Sequence, residues 1–264
     1  MTALHFDSFR ERGVGDEWIA LPEHFVTNGY LVTGTGKLYH PGVPPNFDQP
    51  RSWSSQAPNG DPWPYLNNGE VNGTNKLDSP HCQGKAHSCC GAKDPHYCLR
   101  DLQPGTFLLD QTVKNIAVER LEVAMENWQT TKQPFFVGMG THRPHLGWEF
   151  PIEYELPSAT VPEAVHQSWP HTVPHLHFHE CAEMHAQYWD DRDFGVPLPM
   201  QNSTSAKFVN QQDVVRRAYY GCISYVDGLI GELLETLRVG GAEQDTAVVF
   251  TGGASALCTK IAVA

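Results

Sequence analysis

The sequence predicts an α/β fold: a mostly parallel sheet flanked by helices, with long irregular loops. Two observations carry this. Amphipathic helical stripes alternate with short apolar runs in the order helix, strand, helix, strand, helix, strand, and such an order needs the crossover connections that join parallel strands. The stretches between these elements are dense in Pro, Gly, Asn and Ser and carry no period.

Each element has its own justification. Residues 16–28 read as the first helix, with Trp18, Ile19, Leu21, Phe25 and Val26 as its apolar face and Pro22 near its start. Tyr30 to Val32 read as a short strand, after which glycines open a loop carrying Lys37 and His40. From Gly42 to about Asp110 the chain reads as irregular coil packed down by Trp53, Trp63 and Tyr65, and stretches of that length are uncommon without a function. "LLDQTVKNIAVERLEVAMENW" is the clearest helix. Its stripe is Val113, Ile116, Ala117, Leu121, Ala124 and Trp128, and Asp110 is its expected N-cap. The strand "PFFVGMG" follows, and from Pro151 to about Asp213 the text is irregular again. "QDVVRRAYYGCISYVDGLIGELLETLRVGG" is the second long helix. It buries Val214, Ala218, Cys222, Tyr225, Leu229, Leu233 and Leu237 and stops at a double glycine. "TAVVFT" is the next strand. The tail, 252–264, shows neither alternation nor a helical stripe and stands apart from a domain spanning 1–251.

Composition narrows the function. Hydrophobic residues are 40% of the 264 and aromatics 11%, enough for a sizeable core. A formal charge of −12 argues against a nucleic-acid partner, because phosphate backbones demand clustered Lys and Arg. No apolar run approaches the roughly 20 residues of a membrane span. The start, "MTALHFDSFRERG", lacks the apolar core of a signal peptide, whereas "NGT" at Asn72 and "NST" at Asn202 are glycosylation acceptor patterns of exported proteins. Cysteines number seven, so at least one is unpaired. Cys82, Cys89, Cys90 and Cys98 crowd one loop. That suits either a disulfide such as Cys82–Cys98 or a zinc site, with no paired CxxC to favour zinc. The oligomeric state is not legible.

Ligands of parallel sheets gather beyond the carboxyl ends of the strands. Lys37 and His40 follow one strand; His142, Arg143 and His145 follow another. One such loop residue alone mostly meets water. Together, facing one crevice, two fixed cations and several imidazoles suit an oxyanion such as phosphate, sulfate or carboxylate. Pro144 stiffens the backbone and biases Arg143 toward an extended conformation, which aims these side chains. A second cluster, "PHLHFHECAEMH", alternates His175, His177 and His179 near Glu180, Cys181 and His185. It lacks a second ligand group to close a coordination sphere, so no metal is assigned to it.

These segments carry a family likeness. "GYLVTGTGKLYHPG" resembles the Gly-Lys-x-x-His-Pro-Gly segment of sulfatases, in particular the iduronate-sulfatase-like branch. "PFFVGMGTHRPHLGWEFPIEY" resembles that branch's Phe-Phe…Gly…His-Lys/Arg-Pro-His segment. "RRAYYGCISYVDGLIGELLETL…DTAVVFT" is similar to the helix and strand leading to its late metal-binding motif. "HFHECAEMHAQYWD" is similar to a family loop in which a His precedes a Glu and an aromatic pair. The resemblance implies an alkaline-phosphatase-like sandwich, hydrolysis of sulfate esters of sugars, a lysosomal or extracellular location and a loop disulfide at Cys82 and Cys98. In this family a cysteine of Cys-x-Pro-Ser-Arg becomes formylglycine, and a calcium ion held by carboxylates polarises the sulfate. Lys37 would then bind sulfate oxygens. His40 would hydrogen-bond the formylglycine hydrate, and His145 would contact sulfate and protonate the leaving alcohol. Arg143 would read an acidic group on the sugar, with His142 and His179 on the substrate side.

The chain also departs from the pattern. It contains no Cys-x-Pro-Ser-Arg, and Cys82, its first cysteine, follows the Lys37 segment instead of preceding it. The early paired aspartates are absent, and "VVFT" continues into "GGASALCTKIAVA" instead of Ser-Asp-His-Gly. The expectation is part of a sulfatase domain that keeps an anion pocket, lacks the nucleophile and the calcium ligands, and does not catalyse; the alternative is a non-catalytic binder of sulfated or acidic glycans.

Overall fold

A computed structural model describes residues 9–10, 13–40, 43–66, 99–102, 104–105, 108–145, 148–157, 160–162, 206–252 and 259–263. Its elements are α1 (Leu21–Thr27), β1 (Leu31–Gly36), β2 (Leu99–Leu102), α2 (Leu109–Thr131), β3 (Phe135–Gly140), β4 (Trp148–Pro151), α3 (Ala206–Val239), β5 (Val248–Gly252) and β6 (Thr259–Val263). The chain divides into two compact units. One comprises Met1–Leu77, Leu108–Arg143 and Val226–Ala264, the other Asp78–Phe107 and Pro144–Tyr225.

The first unit holds a four-stranded sheet in the order β1-β3-β6-β5. β1 and β3 are parallel and in register from Leu31 opposite Phe135 to Gly36 opposite Gly140. β6 runs antiparallel to both β3 and β5, so β1, β3 and β5 share one direction. Every position of β1 and β3 is buried. β1 runs on to Gly36, through the glycines that the sequence assigns to a loop after Val32, because it pairs with β3 along its whole length. One face carries Leu31, Phe135, Val137 and Met139 against Val113, Ala117, Leu121 and Ala124 of α2 and Leu233 and Leu237 of α3. On the other face Val32 and Phe136 pack with Phe47, Trp53 and Tyr65. Phe25 of α1 stacks on Phe136 at 4.7 Å, and Trp53 on Tyr65 at 4.5 Å.

The α2 stripe is buried as its period demands: Val113, Ala117, Leu121 and Ala124 are all at 0% exposure. Its N-cap is Leu108 in extended conformation, not Asp110 as the sequence suggests. Asp110 lies inside the first turn and is fully buried, because its carboxylate turns away from the helix to tertiary partners. In α3, Ala218, Cys222, Tyr225, Leu229, Leu233 and Leu237 are buried as expected, and the helix begins earlier, at Ala206. It ends as the double glycine predicts. Gly241 adopts φ +73°, its N–H donates to Arg238 O (3.1 Å), and Ala242 N–H reaches back to Leu237 O (3.3 Å).

Further expectations need correction. The first helix is shorter than 16–28. It starts at Leu21 because Pro22, with no N–H to satisfy, suits a first turn, and Glu23 Oε2 accepts the Ala20 N–H at 3.2 Å. Trp18, Ile19 and Leu21 are 40%, 65% and 60% exposed and therefore do not form its buried face. β2 and β4 are parallel partners in the second unit, from Leu99 opposite Trp148 to Leu102 opposite Pro151; β2 falls in text read as coil, and β4 in a stretch to which the sequence assigns no element. Strands of four residues are too short to display a period. The tail read as patternless contains β6, which finds its place by pairing with β3 and β5 instead of by its own alternation. Cys82, Cys89, Cys90, Cys98, Asn72, Asn202, Val214's side chain and the stretch His175 to His185 lie outside the described residues.

Candidate functional site

The parallel register of β1 and β3 makes Lys37 and Thr141 the first residues beyond one sheet end. The two exits touch. Lys37 N–H donates to Gly140 O at 2.6 Å. A Cβ on Gly36, whose φ is +82°, would sit 1.9 Å from Gly140 O, and a Cβ on Gly140 would sit 2.3 Å from the Lys37 carbonyl carbon. Only glycine at both positions lets the loops leave side by side.

Lys37 is buried, at 9% exposure, and among the described residues its ammonium has no ion-pair partner. Tyr65 holds the backbone on either side of it: its hydroxyl donates to Gly36 O and accepts the Leu38 N–H (3.1 Å). Burial pushes the Tyr65 phenol well above its ordinary range, so it stays protonated and keeps its donor. His40, further along the same loop, is exposed, and its carbonyl accepts the Val43 N–H at 3.0 Å.

The loop after β3 is tied to α2. Asp110 Oδ1 accepts the His142 N–H (2.6 Å), and Oδ2 accepts the Arg143 N–H (3.3 Å) and Arg143 Nη1 (2.8 Å). Thr141 Oγ1 donates to Arg143 O at 2.8 Å, tightening the turn. Arg143 is 2% exposed, and its guanidinium is ion-paired to Asp110. His142 is half-buried. The first unit thus carries the Lys37–His40 loop and the His142–Arg143 loop at the same end of the same strand pair. His145 is half-buried and belongs to the second unit; His179 lies outside the described residues.

Sequence reasoning missed three residues that shape this end. Tyr65 reads as simple packing and Asp110 as a cap. Arg120 sits on the buried side of α2, where its Nη1 donates to Thr33 Oγ1 (2.6 Å) and Gly34 O (2.9 Å) and its Nη2 to Pro64 O (2.7 Å). Burial lowers Arg120 to about 10, so it remains a cation at neutral pH. The available signal was a charged residue beside the apolar stripe of a helix, as both Asp110 and Arg120 are.

A family model for sulfatases matches residues 52–254. The chain belongs to the sulfatase family. Sulfatase membership places its parallel strands and flanking helices in the alkaline-phosphatase-like fold. Human iduronate 2-sulfatase is 26% identical over 236 residues, covering 88% of this chain and 39% of that protein. The mouse iduronate 2-sulfatase is 25% identical over 237 residues, with the same coverages. A sulfatase of Formosa agariphila is 27% identical over 246 residues, 88% of this chain and 40% of its own length. The chain spans about two fifths of the length of these curated relatives. Sulfatases are generally calcium-dependent. Among the described residues no group of three or more His, Cys, Asp or Glu is gathered to hold such an ion.

Proposed function

We propose that this chain is the sulfate-holding portion of a sulfuric ester hydrolase domain that acts on sulfated sugars or related esters. One observation carries the reading: Lys37, a cation only 9% exposed, stands just beyond a parallel strand without a carboxylate partner among the described residues. A cation with its stem packed into the protein and no carboxylate beside it is open to an anion, and a sulfate oxygen supplies the counter-charge. In this reading Lys37 binds sulfate oxygens, and His40 and His145 are the proton carriers, His145 toward the leaving alcohol. Arg143, ion-paired to Asp110, holds the loop in shape, while His142 and His179 meet the sugar.

The 264 residues contain no Cys-x-Pro-Ser-Arg, which favours a second reading in which this chain binds sulfated or acidic glycans without cleaving them. The family resemblance and the acceptor triplets favour a lysosomal or extracellular location. Among the described residues no helix is long and apolar enough to cross a membrane.

Calorimetric titration with a sulfated disaccharide tests the pocket. Saturable binding is expected, weakened about tenfold or more by Lys37→Ala. No saturable binding, or equal binding by the variant, defeats the anion reading. A chromogenic aryl sulfate, with calcium present, tests turnover by this chain. None above background is expected, and measurable hydrolysis would overturn the non-catalytic reading.

A further inference from the structure

We propose that Asp110 is a positioning residue for the anion pocket, fixing the turn that carries His142 and Arg143. The proposal deepens the sulfate-holding reading and rests on it for its ligand arm. One carboxylate accepts from two successive backbone N–H groups and from the guanidinium of the second of those residues, at 2.6, 3.3 and 2.8 Å. It does so from complete burial, so the bonds do not compete with water. It is also well placed electrically: Asp110 lies in the first turn of α2, where the helix dipole favours negative charge, and Arg143 neutralises it from the other side. The same turn is closed by Thr141 Oγ1 on Arg143 O, and the residue before it, Gly140, accepts the Lys37 N–H. Asp110 therefore restrains the backbone dihedrals of His142 and Arg143 next to the strand end from which Lys37 leaves. The conformation of the turn is fixed before any ligand arrives, and binding then costs less ordering entropy. Arg143 acts in this arrangement through the loop, as Asp110's partner.

A purely stabilising ion pair predicts a different result, and a matched control separates the two. Asp110→Asn keeps shape but presents, at one of its two positions, an amide to groups that need an acceptor. Leu121→Ala, in the core of the same helix at 0% exposure, destabilises without touching the turn. Two quantities are read on the folded proteins: amide hydrogen exchange at His142 and Arg143, and affinity for the sulfated disaccharide. In Asp110→Asn the two amides are expected to exchange at least about tenfold faster than in the Leu121→Ala control, and disaccharide binding to weaken by about tenfold relative to it. If Asp110→Asn does not fold, Asp110→Glu, which keeps the charge but moves it by one methylene, carries the same comparison. Exchange at the two amides matching the control overturns the inference, as does disaccharide affinity matching the control. If the unmodified chain takes up no disaccharide, the anion reading fails, and faster exchange at the two amides alone then decides for or against Asp110 as the holder of the turn.

Discussion

A phenol and a carboxylate, neither part of a recognisable motif, hold the two loops at the sheet end. Tyr65 brackets Lys37 through Gly36 O and the Leu38 N–H, while Asp110 holds His142 and Arg143. Tyr65→Phe keeps the ring stacked on Trp53 but strands a buried carbonyl and a part-buried N–H. The expected loss is about 1–3 kcal/mol, read as a lower urea midpoint with an unchanged slope. A midpoint equal to the parent would show that the hydroxyl supports nothing. Lys37 and the His142–Arg143 pair were legible as site candidates, because each sits on a glycine- or proline-marked exit from an apolar run. Their holders were not. Asp110 is 32 positions from His142 and Tyr65 is 27 from Leu38, and no local pattern couples residues so far apart.

Elements divide by length. The two long helices were legible because a stripe repeated over many turns cannot be mistaken: α2 spans 23 residues and α3 34. The seven-residue α1 was overdrawn, and the four-residue β2 and β4 were missed, since so few positions display no period. Between β1 and β3 the decisive feature is the absence of side chains at their carboxyl ends. Gly36→Ala puts a methyl 1.9 Å from Gly140 O and 2.6 Å from Val113 Cγ1, at a backbone φ of +82° that alanine resists. It is expected to cost roughly 3 kcal/mol or more, read as a large fall in the denaturation midpoint or as insoluble protein. A variant with parental stability would mean that the strand ends are not in contact.

In the molecule as a whole, the sheet of the first unit depends on its last strand. Among the described residues β5 pairs with β6 alone, and Val248, Val249 and Phe250 are 44%, 51% and 63% exposed. Deleting residues 253–264 removes β6 and leaves open edges on both β3 and β5, a known route to association. The expected outcome is a thermal midpoint lower by about 5 °C or more and concentration-dependent growth in light scattering. A monodisperse variant with an unchanged midpoint would show β6 to be dispensable. The net charge of −12 opposes association, so the scattering should grow as salt screens it.

By itself the sequence determined the α/β class, both long helices, the strand β3, the first half of β1 and the sulfatase motifs. All of these are written in the period or spacing of neighbouring residues. Only the tertiary structure decided that Asp110 closes on Arg143 instead of capping its helix, that Tyr65 flanks Lys37, and that the tail inserts between β3 and β5. Those choices are contacts across the fold. They are set by which buried donors and acceptors meet once the chain is packed, and a linear pattern does not encode such meetings.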